Sequence, residues 1–160
     1  MTSLLTETIL PHIISQTDAY GITEIEVAPE HLVSVVIALK SQADMPFSFM
    51  TDLCGIHYLE PTPRIGIVIH LHSMETNTRL RIKCFATSIE TPTLPSLTGV
   101  FSAANWMERE TYDFFGIQFS GHPNLIRILN DDSMTIFPMR KEYPLEDDTR
   151  EDKDDTMFGR

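Results

Sequence analysis

The feature that most limits the folds open to this chain is a set of three strand-like stretches at residues 47–53, 64–72 and 78–86, the last two joined by a polar turn containing Asn77. In the third stretch Leu80, Ile82, Cys84 and Ala86 fall on one side, and Arg79, Arg81 and Lys83 fall on the other. Successive strand residues point to opposite faces, so this alternation predicts a sheet with one face in the core and the other wet. The short connection favours an antiparallel meander, and Pro92 and Pro95 close it.

Helices are expected on either side of the meander. Leu5, Ile9 and Ile13 recur at i, i+4 and i+8 and predict a helix over residues 3–17, with Pro11 weakening its middle. Residues 24–27 alternate like a short strand. Pro29 suits the first turn of a helix over 30–40, whose apolar face would be Leu32, Val33, Val36 and Ile37, with Lys40 at its end. A further helix is expected over 97–115 and should stop at Gly116. The fold class is therefore α+β: a small, mostly antiparallel sheet packed with helices, followed by an extended C-terminal arm.

The boundaries follow from a change of character after Gly116. Residues 1–116 form the α+β domain, 117–145 the arm and 146–160 an acidic tail. Gly121, Pro123, Pro138 and Pro144 punctuate the arm, which has one short helical run at 123–129. Its Ile117, Phe119, Leu125, Ile126, Ile136, Phe137, Met139, Tyr143 and Leu145 are more apolar surface than a linker leaves in water, so the arm is expected to lie against a partner. The tail holds seven acids (Glu146, Asp147, Asp148, Glu151, Asp152, Asp154, Asp155) against Arg150 and Lys153, which is −5 of the chain's −11. A basic partner surface is its expected counterpart.

Charge and composition exclude several function classes. A net −11 repels a phosphate backbone, which argues against nucleic-acid binding. No apolar run approaches the ~20 residues that cross a bilayer, so contact with a membrane is expected only through partners. The first cation is Lys40, so neither a secretory nor a transit signal is expected, and the mature chain is read as beginning at Met1. Cys54 and Cys84, thirty positions apart, build neither a disulfide framework nor a four-cysteine cluster, and both are expected to be buried thiols.

Few constellations suggest chemistry. His70 and His72 share a strand face and, with His57, would make a free-standing metalloprotein the reading from a different class; no carboxylate at ligand spacing joins them. Asp44, Asp52 and Glu60 lack a base or nucleophile partner, and there is no P-loop, dinucleotide fingerprint or nucleophile elbow. Residues 106–116 are different. Glu108, Arg109, Glu110 and Asp113 crowd the end of an aromatic-rich helix, where Arg109 and Asp113 stand one turn apart and can pair. A helix C-terminus favours cations, so Glu110 and Asp113 there call for a compensating positive group.

The run from Glu108 through Arg109, Glu110, Thr111, Tyr112, Asp113, Phe114, Phe115 and Gly116 to His122, Pro123, Asn124 and Leu125 resembles the signature of the 30 kDa peripheral-arm subunit family of respiratory complex I, whose bacterial members are its C subunits. Pro138-Met139-Arg140-Lys141-Glu142-Tyr143-Pro144-Leu145 is similar to that family's closing motif, PLRKDYPL, with Met139 and Glu142 as substitutions. Two departures stand out: Ile126 precedes Arg127 where the family has two arginines, and Thr135-Ile136-Phe137 replaces a glycine-containing stretch.

The resemblance implies a subunit without catalytic residues or a redox group of its own in a proton-translocating NADH:quinone oxidoreductase. FMN, iron–sulfur clusters and quinone would sit in its partners. It implies the large quinone-site protein and the small iron–sulfur protein of the complex (its D and B subunits) as neighbours, with the I and G subunits as further candidates, on the cytoplasmic face of the inner membrane. Glu108, Arg109, Glu110, Asp113, Phe119, His122, Pro123, Leu125, Arg127, Phe137, Arg140, Lys141 and Tyr143 would form the interface. Phe119, Leu125 and Tyr143 would be its anchors and Arg109, Arg127, Arg140 and Lys141 would order the arm. The same module in a membrane-bound hydrogenase-type complex is the alternative within the resemblance.

Overall fold

The computed structural model describes Leu5 and residues 7–143, so the acidic tail and the partner expected for it lie outside the described residues. Among the described residues seven strands and two α-helices follow one another: β1 (Ile13–Ala19), β2 (Ile22–Val27), α1 (Pro29–Lys40), β3 (Phe49–Tyr58), β4 (Arg64–Ser73), β5 (Thr78–Phe85), β6 (Thr93–Pro95), α2 (Ala104–Phe115) and β7 (Gln118–Ser120). The main sheet has the order β1-β2-β5-β4-β3. Its pairs are antiparallel except β2 with β5, which run parallel with Thr23 opposite Leu80 and Glu26 opposite Lys83. The α+β class holds, and the 3-4-5 meander is as the alternation predicts.

The register shows why one face is core. Ile25, Ile82, Ile69 and Leu53 line up across four strands, and Cys84, Ile67 and Gly55 across three. Ile25, Ile82, Ile69, Ile67 and Cys84 are fully buried, and each of the isoleucines contributes about 1.5–3 kcal/mol relative to an exposed one. On the opposite face Glu24 receives Arg81 and Lys83 at 3.2 and 2.7 Å, and Arg81 also donates to His70. α1 covers the core face with Leu32, Val35, Val36 and Leu39. This face is rotated from the one expected: Ile37 is exposed, and Lys40 leaves the apolar stripe to donate to the Val100 carbonyl at 2.7 Å.

Three expected helices differ from the structure. Among the described residues of 3–17 the helical geometry is confined to a 3₁₀ turn at Leu10–His12, and the chain then becomes β1. Pro11 withholds a helical N–H, β-branched Ile13 and Ile14 follow it, and β2 offers a ladder immediately downstream. Leu5 and Ile9 are nevertheless buried, so the apolar stripe marked burial correctly and geometry wrongly. The helix expected from 97 begins at Ala104, because 97–103 fold as tight turns in which Leu97 O accepts from both Val100 and Phe101. No helix forms at 123–129; the N–H groups of Ile128, Leu129 and Asn130 point instead to the Asp113 carboxylate.

The stretch after Gly116 starts as a strand. β7 pairs in parallel with β6, Phe119 opposite Leu94, which returns the chain to the body of the fold. Two residues in the left-handed region, Tyr20 at φ +56° and Gly21 at φ +76°, close the two-residue turn between β1 and β2.

Candidate functional site

α2 runs over the edge of the sheet at β3. A Cβ at Gly55 would fall on the Phe115 ring, so the absent side chain lets the end of α2 seat against the strand. The helix buries Ala104, Glu108 and Thr111 at i, i+4 and i+7, and Asp113 besides. It stops at Gly116, whose φ of +72° and N–H donation to Tyr112 O at 2.8 Å form a left-handed cap. From there the arm folds back over the helix just completed.

Four side chains fix the arm. The buried Asp113 carboxylate accepts Arg127 Nη1 at 2.7 Å and the backbone N–H groups of Ile128, Leu129 and Asn130 at 3.1, 2.8 and 2.8 Å. Burial raises its pKa, but these four donors outweigh burial and hold the carboxyl well below the usual range. Arg127 also donates to Met134 O at 2.7 Å. Arg109 donates to the carbonyls of Ile126 and Arg127, both at 3.1 Å, and lies 5.0 Å from the Trp106 ring. Arg140 Nε donates to Phe115 O at 2.6 Å, and both Arg127 and Arg140 stand 5.2 Å from the Phe137 ring. The expected Arg109–Asp113 pair is thus replaced. Spacing along the helix permits it, but Arg127 reaches Asp113 together with three amides, and Arg109 is drawn to free carbonyls of the arm.

Glu108 is the second buried acid. It accepts Ser96 Oγ at 2.7 Å and Leu97 N–H at 2.6 Å, which ties the middle of α2 to the turn after β6. Burial pushes its pKa up against the opposing pull of those bonds. The charged form is therefore disfavoured in the folded protein, and the folded state loses stability as pH rises from the ordinary carboxylate value through the raised one. Glu108→Gln keeps an acceptor for Leu97 and removes that charge. It is expected to be at least as stable as wild type at pH 7, with the difference vanishing toward pH 4; urea midpoints at the two pH values check it.

The remaining sequence candidates divide by exposure. Phe119, expected as an anchor on a partner, is 4% exposed in the chain's own core, because β7 turns it inward beside Leu94. Leu125 packs partly against the same core. His122 Nε2 is 3.1 Å from Asn105 O and its Nδ1 accepts Asn124 N–H, so the ring braces the turn at Pro123, itself exposed. Lys141 contributes its backbone N–H, given to His57 Nδ1 at 3.1 Å. Glu110, Lys141 and Tyr143 face outward. With Asp52, Phe115 and Met139, Glu110 rims a cavity of about 240 Å³ between β3 and α2. Sequence reasoning missed the Phe137 sandwich and the His57 brace; Gly116 was the available signal for the first, since a Cβ there would meet the Phe137 ring at 2.5 Å.

The histidines do not converge. His57 lies on the core face opposite Ile65, whereas His70 and His72 lie on the other face. Among the described residues no group of three or more His, Cys, Asp or Glu could hold a metal ion, and no helix is long and apolar enough to cross a membrane. Cys84 is buried, which pushes its thiol up to about 12. Cys54, expected buried, is exposed on the open sheet face; partial burial, helped by the charges of Asp52 and Glu110, raises its pKa too.

Comparisons with known proteins fall on this same architecture. Residues 25–149 match the family described as respiratory-chain NADH dehydrogenase, 30 Kd subunit. The C 2 subunit of the NADH-quinone oxidoreductase of Rhizobium etli is 43% identical over 127 residues, covering 79% of this chain and 67% of that one. The C subunit of the same enzyme from Citrifermentans bemidjiense is 38% identical over 135 residues, 84% and 82% of the two chains. A chain of the membrane-bound sulfane sulfur reductase, an archaeal respiratory membrane complex, shares the fold with a TM-score of 0.71 at 22% identity over 87% of this chain and 83% of that one. The matched span runs from within β2 through the clasp of α2 and the arm, and on that ground the chain belongs to the 30 kDa subunit family of the respiratory-chain NADH dehydrogenase, the C subunits of complex I.

Proposed function

We propose that this chain is a structural subunit of the peripheral arm of an NADH:quinone oxidoreductase, carrying no catalytic residue or redox group itself. Its role is to hold neighbours in register: the quinone-site protein and the small iron–sulfur protein (the D and B subunits), with the I and G subunits further out, at the cytoplasmic face of the inner membrane. FMN, the iron–sulfur clusters and quinone would lie in other subunits of the complex.

The observation that carries this reading is the division of labour at the clasp. Its buried acids are hydrogen-bonded inside the chain, Asp113 to Arg127 and Glu108 to Ser96 and Leu97, while Trp106, Ile126, Leu129 and Met139 stay half or more exposed around it. A rigid, internally satisfied scaffold that displays apolar side chains is what an assembly surface requires. Relatives near 40% identity are subunits of NADH-quinone oxidoreductases, which favours that enzyme over a hydrogenase-type assembly. NADH-dependent quinone reduction, as against hydrogen evolution, by the purified assembly separates the two.

Glu110 is the test of scaffold against catalyst, because it faces outward at the rim of the cavity between β3 and α2. Glu110→Ala is expected to lower the amount of assembled complex several-fold while turnover per assembled complex changes little. Quantifying complex content by native electrophoresis alongside NADH:quinone activity reads both. A variant that assembles fully yet turns over nothing refutes the proposal.

A further inference from the structure

The two edges of the main sheet are treated differently. At the β3 edge, α2 seats over Gly55, and Met139 and Lys141 of the arm lie alongside. At the β1 edge no described residue contributes a backbone hydrogen bond to the outer side of the strand. Ala19 and Ile22 flank the two-residue turn and bond to each other, so by alternation Thr17 and Ser15 also face β2. Gln16 and Asp18 therefore direct their N–H and C=O groups away from the sheet.

β1 is also unusual in what it buries. Every residue from Ile14 to Ala19 is exposed, on both faces, so this strand owes little to the chain's own core. Edge strands are commonly protected by lysine, proline or a covering element. β1 has no lysine, arginine or proline; its single charge, Asp18, is turned to Thr23 Oγ1 at 2.6 Å, and a bulge interrupts its start between Ile13 and Ser15. Beside the edge stand exposed Ile14 and Tyr20, the latter fully exposed in a left-handed conformation that a tyrosine rarely adopts.

We propose that the free edge of β1 receives an extended segment of a neighbouring subunit as a sixth strand of the sheet, an inference that rests on the structural-subunit reading above. The ligand chemistry is main chain: N–H and C=O groups repeating every second residue are met by another extended backbone. Ile14 and Tyr20 supply apolar contacts at its two ends. A second copy of this chain is the weaker occupant, because bringing together two chains of −11 opposes pairing. The segment should accordingly be neutral or basic.

The test compares backbone amide hydrogen exchange in the purified wild-type complex with that in the full chain alone. The amides of Gln16 and Asp18 are expected to exchange at least about tenfold more slowly in the complex. In parallel, Gln16→Pro removes the outward N–H that the sixth strand needs, whereas Gln16→Ala keeps it. The proline variant should be depleted from the complex about tenfold and the alanine variant should assemble normally. Circular dichroism of the full-length proline variant establishes that it folds, and the exchange measurement on wild type stands even if it does not. Equal exchange in chain and complex overturns the proposal. So does protection that appears already in the isolated chain as it dimerises, which would make a second copy the occupant. Absence of the wild-type chain from the purified complex would instead bring down the structural-subunit reading itself.

Discussion

Asp113→Ala is expected to detach the arm from α2 and to destabilise the chain by about 3–5 kcal/mol, the cost of breaking a buried ion pair from one side. The substitution leaves Arg127, whose side chain is 10% exposed, without its carboxylate, and it strands three backbone N–H groups at 128–130. Amides deprived of partners are what make the loss large, because a surface ion pair alone contributes less than about 1 kcal/mol. Chemical denaturation should show the lowered midpoint, and limited proteolysis should open first within residues 122–137. The same contact sets an acid limit. Because the folded-state pKa of Asp113 is depressed, its contribution is complete above the ordinary carboxylate value and is lost as pH falls below it. Wild type should therefore weaken below about pH 4, while the alanine variant should have little of this slope left to lose. A midpoint unchanged from wild type at pH 7 would mean that the arm is held elsewhere.

Gly116→Ala should be nearly as costly for a different reason. The left-handed φ of +72° costs a residue with a Cβ roughly 1–2 kcal/mol, and the Cβ would also press on the Phe137 ring at 2.5 and 2.6 Å. Moving that ring disturbs both guanidinium stacks, of Arg127 and Arg140, and overpacking of this kind adds about 1–3 kcal/mol. A thermal shift downward of several degrees, with loss of Phe137 contacts by NMR, is the expected result. Phe137→Ala placed on top of Gly116→Ala should relieve the steric part and leave the backbone part, so the two losses should fall short of additive.

What the sequence made legible was local. β4 and β5 were readable because a two-residue period needs only neighbours, and α1 because Pro29 fixes its start and Leu32 and Val36 repeat at helical spacing, although the stripe read through Ile37 and Lys40 is rotated from the buried face of Leu32, Val35, Val36 and Leu39. The N-terminal segment was misread because Leu5, Ile9 and Ile13 satisfy a helical period without forming a helix; what made residues 13–19 a strand was β2, a partner outside the window. Arg109 and Asp113 were misread for the same reason, since a four-residue spacing is visible and a loop returning Arg127 to the helix end is not. Phe119 looked like an anchor because β6, the strand that draws it inward, lies far earlier in the chain, with all of α2 between them. The family motif falls on the clasp, and the described residues there are occupied chiefly with one another.

The parallel pairing of β2 with β5 bears on how the chain reaches this state at all. Thr23 meets Leu80, and between them lie α1 and the hairpin of β3 and β4. On a ribosome the first hairpin emerges long before its partner strand exists, and closing so wide a loop carries an entropy cost that neighbouring strands avoid. The 3-4-5 meander can nucleate from contacts close in sequence, and β1–β2 then docks as a finished unit onto β5. A nascent chain arrested before Leu80 would hold that hairpin exposed, with Ile25 and Val27 uncovered, and would be the species in need of a chaperone.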